Sequence, residues 1–144
     1  MNKIRFKFIS LILVIFLAVF IVGCAWLKES GKKLWGSSTQ ALEKARSQGK
    51  AQVFECSLSA CFDECLNIMR DMKATVFAKD KRRGVLIAMD FKVKDVIDTT
   101  ELGIFFTKSE NLTKVEITSL NPVLIDEVGP KILSGLEKKF SIVN

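Results

Sequence analysis

The chain has 144 residues, with 22 lysines and arginines against 16 acids, four cysteines, eleven phenylalanines and neither histidine nor tyrosine. Its net charge of +6 is uneven: residues 1–23 carry +3, residues 24–50 carry +4 and residues 51–144 carry −1. A near-neutral C-terminal part excludes the basic face that a nucleic-acid-binding domain needs, and the lack of histidine excludes any catalytic set built on an imidazole.

The first seven residues hold Lys3, Arg5 and Lys7 and no acid, and residues 8–22 are apolar except for Ser10. A positive segment followed by an apolar run of this length is the pattern of an export signal. The run is shorter than the roughly 20 residues that span a bilayer. Extending it through Ala25, Trp26 and Leu27 gives the competing reading, an uncleaved anchor. The run closes on Ile21-Val22-Gly23-Cys24, which resembles the lipobox of bacterial lipoproteins. The resemblance implies that the Cys24 sulfur receives a diacylglycerol, that residues 1–23 are removed as a signal peptide, and that the new amino terminus is acylated. Several acyl chains would anchor the protein stably, where one gives only reversible binding. Ala25, in place of the aspartate that retains some lipoproteins at the inner membrane, implies the periplasmic face of the outer membrane, or the cell membrane in a host without an outer one.

Residues 24–50 read as a lipid-anchored tether. Trp26, Leu27 and Trp35 lie among lysines, a composition suited to the membrane–water interface. Ser37-Ser38-Thr39-Gln40 offers a capping box, and Ala41–Gln48 with Gly49 predicts a short helix, exposed and loosely docked.

Residues 51–144 read as a small packed domain. Gln52–Cys56 alternates as a strand, with Phe54 and Cys56 on one face. Ser57 is an N-cap, and Cys61, Phe62, Cys65, Leu66, Met69 and Met72 form the apolar stripe of a helix over Leu58–Ala74. Thr75–Lys79 and Val85–Phe91 predict a hairpin around Asp80–Gly84, with Val85, Ile87, Met89 and Phe91 sharing a face. Lys92–Thr100 reads as a loop. Leu102, Ile104 and Phe106 mark a fourth strand, and Val115 and Ile117 a fifth after a turn at Ser109–Asn111. Asn121 caps a helical segment with Pro122 at its first position. Gly129-Pro130 is expected to break or kink it, leaving a main helix over Pro130–Phe140 with Ile132, Leu133, Leu136 and Phe140 inward.

This β-α-β-β-β-β-α order predicts an α+β two-layer sandwich, an antiparallel sheet with two helices on one face. The layout resembles the helix-grip or TATA-binding-protein-like domains of small envelope lipoproteins, including an accessory lipoprotein of the outer-membrane assembly machine. The resemblance rests on element order alone and carries no functional residue.

Cys56, Cys61 and Cys65 are the one cluster with potential chemistry. Packed core thiols are the first expectation, since Cys61 and Cys65 lie on the buried stripe. A disulfide from Cys56 to one helix cysteine is the second. A structural zinc would need a fourth ligand and no histidine exists, so no metal or cofactor is expected. Lys79, Lys81, Arg82 and Arg83 crowd the hairpin tip as a candidate basic contact patch, with a solvated turn as the plainer reading. Asp63-Glu64 and Asp126-Glu127 are adjacent on helices and diverge too far for an acid/base dyad. Asp90, Asp95, Asp98 and Glu101 surround the loop without the spacing of a calcium site. Phe105 falls opposite Ile104 and Phe106, on the second sheet face, either exposed or covered by the tether helix.

The expectation is a non-enzymatic envelope lipoprotein with two kinds of partner, the membrane through its lipid and an envelope protein through the open sheet face or the groove beside the last helix. Nucleic acid is not among its expected partners. The alternative is a small carrier of lipid or another hydrophobic ligand, held between helices and sheet.

Overall fold

A computed structural model describes residues 38–143 apart from Asp98, so the signal segment, the lipobox, Cys24 and the tryptophans of the tether lie outside the described residues. Residues from Thr39 onward form a compact unit. It is an α+β fold around a six-stranded sheet, antiparallel at every pairing, in the order β2-β3-β4-β5-β1-β6. The strands are β1 (Lys50–Phe54), β2 (Thr75–Asp80), β3 (Val85–Met89), β4 (Leu102–Ser109), β5 (Leu112–Ser119) and β6 (Ile142–Val143). The helices are α1 (38–44), α2 (Leu58–Asp71) and α3 (Pro122–Glu137), and a 3-10 turn at Arg46–Gln48 joins α1 to β1.

Helices α2 and α3 pack on one face, as the element order implies. From α2, Cys61, Phe62, Cys65 and Met69 are buried, and from α3, Leu124, Val128, Ile132 and Leu136. They meet Phe54, Leu86, Ala88, Leu102, Ile104, Phe106, Val115 and Ile117 from the sheet. The rings of Phe62 and Phe106 lie 5.2 Å apart, tilted at 50°, a geometry worth about 1 kcal/mol beyond area burial. Both N-caps are in place. Ser57 Oγ accepts from the Ala60 N–H at 3.2 Å, and Asn121 Oδ1 from the Val123 N–H at 3.0 Å, each satisfying a donor that a helix start leaves unpaired.

Three expectations are corrected. The first is the break at Gly129-Pro130, through which α3 runs continuously. Proline disfavours a helical predecessor because its Cδ meets that residue's Cβ, and Gly129 has none. The lost hydrogen bond costs about 3 kcal/mol, against which the buried side chains Leu124, Ile125 and Val128 before it and Ile132 and Leu136 after it hold one face down. The second is the shared face of Val85, Ile87 and Phe91. Strand β3 ends at Met89, Asp90 takes φ +64°, and the reversal sends Phe91 into the α2/α3 core while Val85 and Ile87 face the other way. The third is the strand count. The chain after α3 returns as β6, pairing Ile142 and Val143 with Phe54 and Val53. Two residues are too few to show alternation.

The tether helix is also corrected. Leu42 is 1% exposed and Ala45 is buried, so α1 is docked and not loose. Leu42 joins Val85, Ile87 and Phe105 in a second small cluster on the opposite sheet face, with Phe77 and Ala78 against it. A bulge between Val76 and Ala78 brings those two residues to that side, while Val76 packs on the main core. Strands β3 and β4 are therefore covered on both faces at their centres.

Candidate functional site

The cysteines are positioned by the start of α2. Cys56 precedes the Ser57 cap and Cys61 lies four residues after it, the two positions that commonly form an apolar staple across a helix N-terminus. Their Cα atoms are 6.1 Å apart, within bridging range, and the two sulfurs form a disulfide. The Thr113 hydroxyl donates to the Cys56 carbonyl at 2.8 Å and fixes this corner to β5. The core-thiol expectation is thus corrected for Cys56 and Cys61, which are buried but bonded to each other, and it holds for Cys65. Burial, with the Glu64 charge adding to it, pushes the Cys65 thiol up to about 12. A reactive or metal-binding cysteine needs the opposite shift.

The four basic residues of the hairpin tip are exposed, and one of them, Lys81, is engaged in an ion pair. Lys81 Nζ reaches both carboxylate oxygens of Asp63 on α2, at 2.7 and 2.8 Å. Asp80 Oδ1 accepts from the backbone N–H groups of Arg82 (3.1 Å) and Arg83 (3.0 Å), folding the turn on itself. Gly84, at φ +64°, completes it, and a Cβ there would sit 2.3 Å from the Phe106 carbonyl oxygen. Lys79, Arg82 and Arg83 are exposed.

The paired acids diverge as their spacing requires. Asp63 binds Lys81 and Glu64 binds Lys139; Asp126 lies 3.0 Å from Lys50, and Glu127 is 3.9 Å from Lys131. The hydrogen bond from Lys139 holds the Glu64 carboxyl below the usual carboxylate range. Asp90 and Asp95 occupy left-handed turn positions, and Asp98 lies outside the described residues. Among the described residues no three cysteine or carboxylate groups gather to hold a metal ion.

The second sheet face carries an arrangement with no counterpart in the sequence reading. Arg46, from the 3-10 turn, pairs with Glu116 on β5, donates to Thr107 Oγ1 on β4 at 3.1 Å, and stacks 4.8 Å above the Phe105 ring. The Thr118 hydroxyl donates to the Ala45 carbonyl at 2.9 Å, and Lys114 lies 3.0 Å from the other Glu116 oxygen. Burial pushes the Glu116 carboxyl up, but the hydrogen bonds and charges of Arg46 and Lys114 outweigh it and hold the group below the usual range. The only prior hint was the i,i+2 placement of Lys114 and Glu116 on one strand face, which says nothing about Arg46.

Beside α1, a depression of about 240 Å³, open to solvent, is lined by Leu42, Thr99, Thr100, Glu101 and Leu120. It lies at the end of the sheet where β5 passes into α3. No protein-family model matches the chain, and no curated protein is significantly similar to it.

Proposed function

We propose that the protein is an exported lipoprotein, anchored through Cys24, whose domain works in the cell envelope by binding and not by catalysis. The observation that carries this reading is the Cys56–Cys61 disulfide. Such bonds persist in oxidising compartments and are rare in the cytosol, so the bridge agrees with the export signal and lipobox at the other end of the sequence. The four cysteines then have three fates: Cys24 a thioether to lipid, Cys56 and Cys61 a staple, Cys65 a thiol kept from exchange by burial. The open form of the depression, with two threonines and a glutamate among its five lining residues, favours a docking surface over a carrier's enclosed pocket.

Counting thiols tests this. Denatured under non-reducing conditions, the protein from membranes should take one maleimide–polyethylene glycol adduct, on Cys65, and three after reduction. Labelled palmitate should enter the wild type and not Cys24→Ala. Three adducts without reduction in palmitate-labelled protein would overturn the export reading, and two without reduction and four after it, in protein that takes no palmitate, would overturn the lipidation reading.

A further inference from the structure

Four large apolar side chains are well exposed among the described residues: Leu120 (69%) lines the depression beside α1, Ile97 (75%) lies two residues before its lining residue Thr99, Val123 (46%) lies three after Leu120, and the fourth is Ile142. The place is built. The Thr100 N–H donates to the Ile97 carbonyl at 2.8 Å, which curls the loop back on itself. The Ser119 hydroxyl donates to the Glu101 carbonyl at 2.7 Å, tying that loop to the end of β5. Leu120 follows directly, and the Asn121 cap sets Val123 one turn further on. The loop that carries Ile97 and the start of α3 are thus tied to the same end of β5, and Ile97, Leu120 and Val123 are exposed there. Grouped exposed apolar residues on a small domain mark a contact surface.

Where the tether enters identifies the occupant. Leu42 lines the same depression and stands three residues after Thr39, the first residue of the compact unit. Residues 25–38 separate it from Cys24 and reach at most about 50 Å when fully extended. Lys28, Lys32 and Lys33 on that stretch are drawn to anionic headgroups. The apolar group therefore lies at the end of the domain that receives the chain from the bilayer. We propose that Ile97, Leu120 and Val123 form a membrane-contact surface, which seats the domain on the leaflet that holds its own lipid. This rests on the lipidation reading above. Three side chains alone would hold a free protein only weakly. A domain tethered so closely meets the surface at an effective concentration of order millimolar, and weak insertion then fixes its orientation. Apolar side chains at such a depth reach the headgroup–acyl boundary, with Thr99 and Thr100 beside them among the headgroups.

The test uses the full lipid-modified chain in vesicles of phosphatidylglycerol and phosphatidylethanolamine with brominated acyl chains. Trp26 and Trp35 are replaced by phenylalanine, and a single tryptophan is placed as Leu120→Trp or Ile97→Trp. The control, Lys108→Trp, sits on an exposed residue by the β4–β5 turn, at the opposite end of β5 from Ser119. Bromolipid should quench the tryptophans at 120 and 97 at least about threefold more than the one at 108, as expected for side chains at the acyl boundary. Equal quenching in palmitate-labelled protein would overturn this inference alone and hand the surface to a protein partner. Protein that takes no palmitate would overturn the anchor reading as well.

Discussion

The sheet face under α2 and α3 buries eighteen residues in one cluster, whereas the face under α1 buries four. The larger face is held by redundant apolar contact and closed at one corner by a covalent staple. The smaller is held by one leucine, an arginine stacked on a phenylalanine, and three polar contacts between strands and the α1 connection, through Glu116, Thr107 and Thr118. A helix of α1's length has little stability of its own, so its docking depends on these few groups. Under the proposed anchor the difference bears on function, because α1 is where the chain enters the compact unit. The strong face makes the domain fold; the weak one would decide how the domain is carried.

The largest effect should come from the strong face. Phe62→Ala removes a buried ring stacked near Phe106 and should cost about 3–5 kcal/mol in urea unfolding, lowering protection of every core amide. Reducing the disulfide should cost about 2 kcal/mol, since a loop with a sequence separation of only 5 restricts the unfolded chain modestly. The reduced protein should stay folded on the remaining core. Leu42→Ala should cost no more than about 2 kcal/mol, the low end for a buried leucine, because α1 can detach without opening the main core. Hydrogen exchange would separate the cases. Loss of protection after Leu42→Ala should be confined to residues up to about Gln48 and the facing parts of β3 and β4. Uniform loss would mean that the two faces are one cooperative unit, and the contrast would fail.

What the sequence disclosed follows the same division. The stripe from Cys61 to Met72, both caps, and the alternation at Leu102, Ile104 and Phe106 were legible because each is local and periodic. The second cluster was legible only at Phe105, for which cover by the tether helix was one of two expectations, yet a wider signal was present. Val85-Leu86-Ile87-Ala88 and Ile104-Phe105-Phe106 are unbroken apolar runs, and strands with one wet face alternate. Continuous runs called for cover on both sides, and α1 was the segment left to supply it. The disulfide was legible in kind but not in pairing, which needed the positions of Cys56 and Cys61 relative to the Ser57 cap. The Arg46–Glu116 pair was out of reach, because residues 70 apart meet only once the sheet order is known. Neither the proposed acylation of Cys24 nor a proposed contact surface has a periodic signal, and each depends on a local match that only chemistry can test.

The smallest effect is the most specific to the weak face. Because Glu116 is held below its usual range in the folded protein, its contribution is complete above the unfolded value, near pH 4.3, and fades as pH falls through the lower folded value. Glu116→Gln keeps the shape and one acceptor but removes the charge facing Arg46 and Lys114. It should cost about 1 kcal/mol at neutral pH, since Arg46 remains half-buried and still reaches Thr107 and water. The gap between wild type and variant should then narrow as the solution is acidified below about pH 4. Glu64, on the other face, is also held low by Lys139, and its acid-dependent loss is common to both proteins, so it cancels in the difference. A gap that stayed constant to pH 2 would mean that the carboxylate's charge contributes nothing there, and that α1 is held by Leu42, the Phe105 stack and the hydrogen bonds to Thr107 and Thr118.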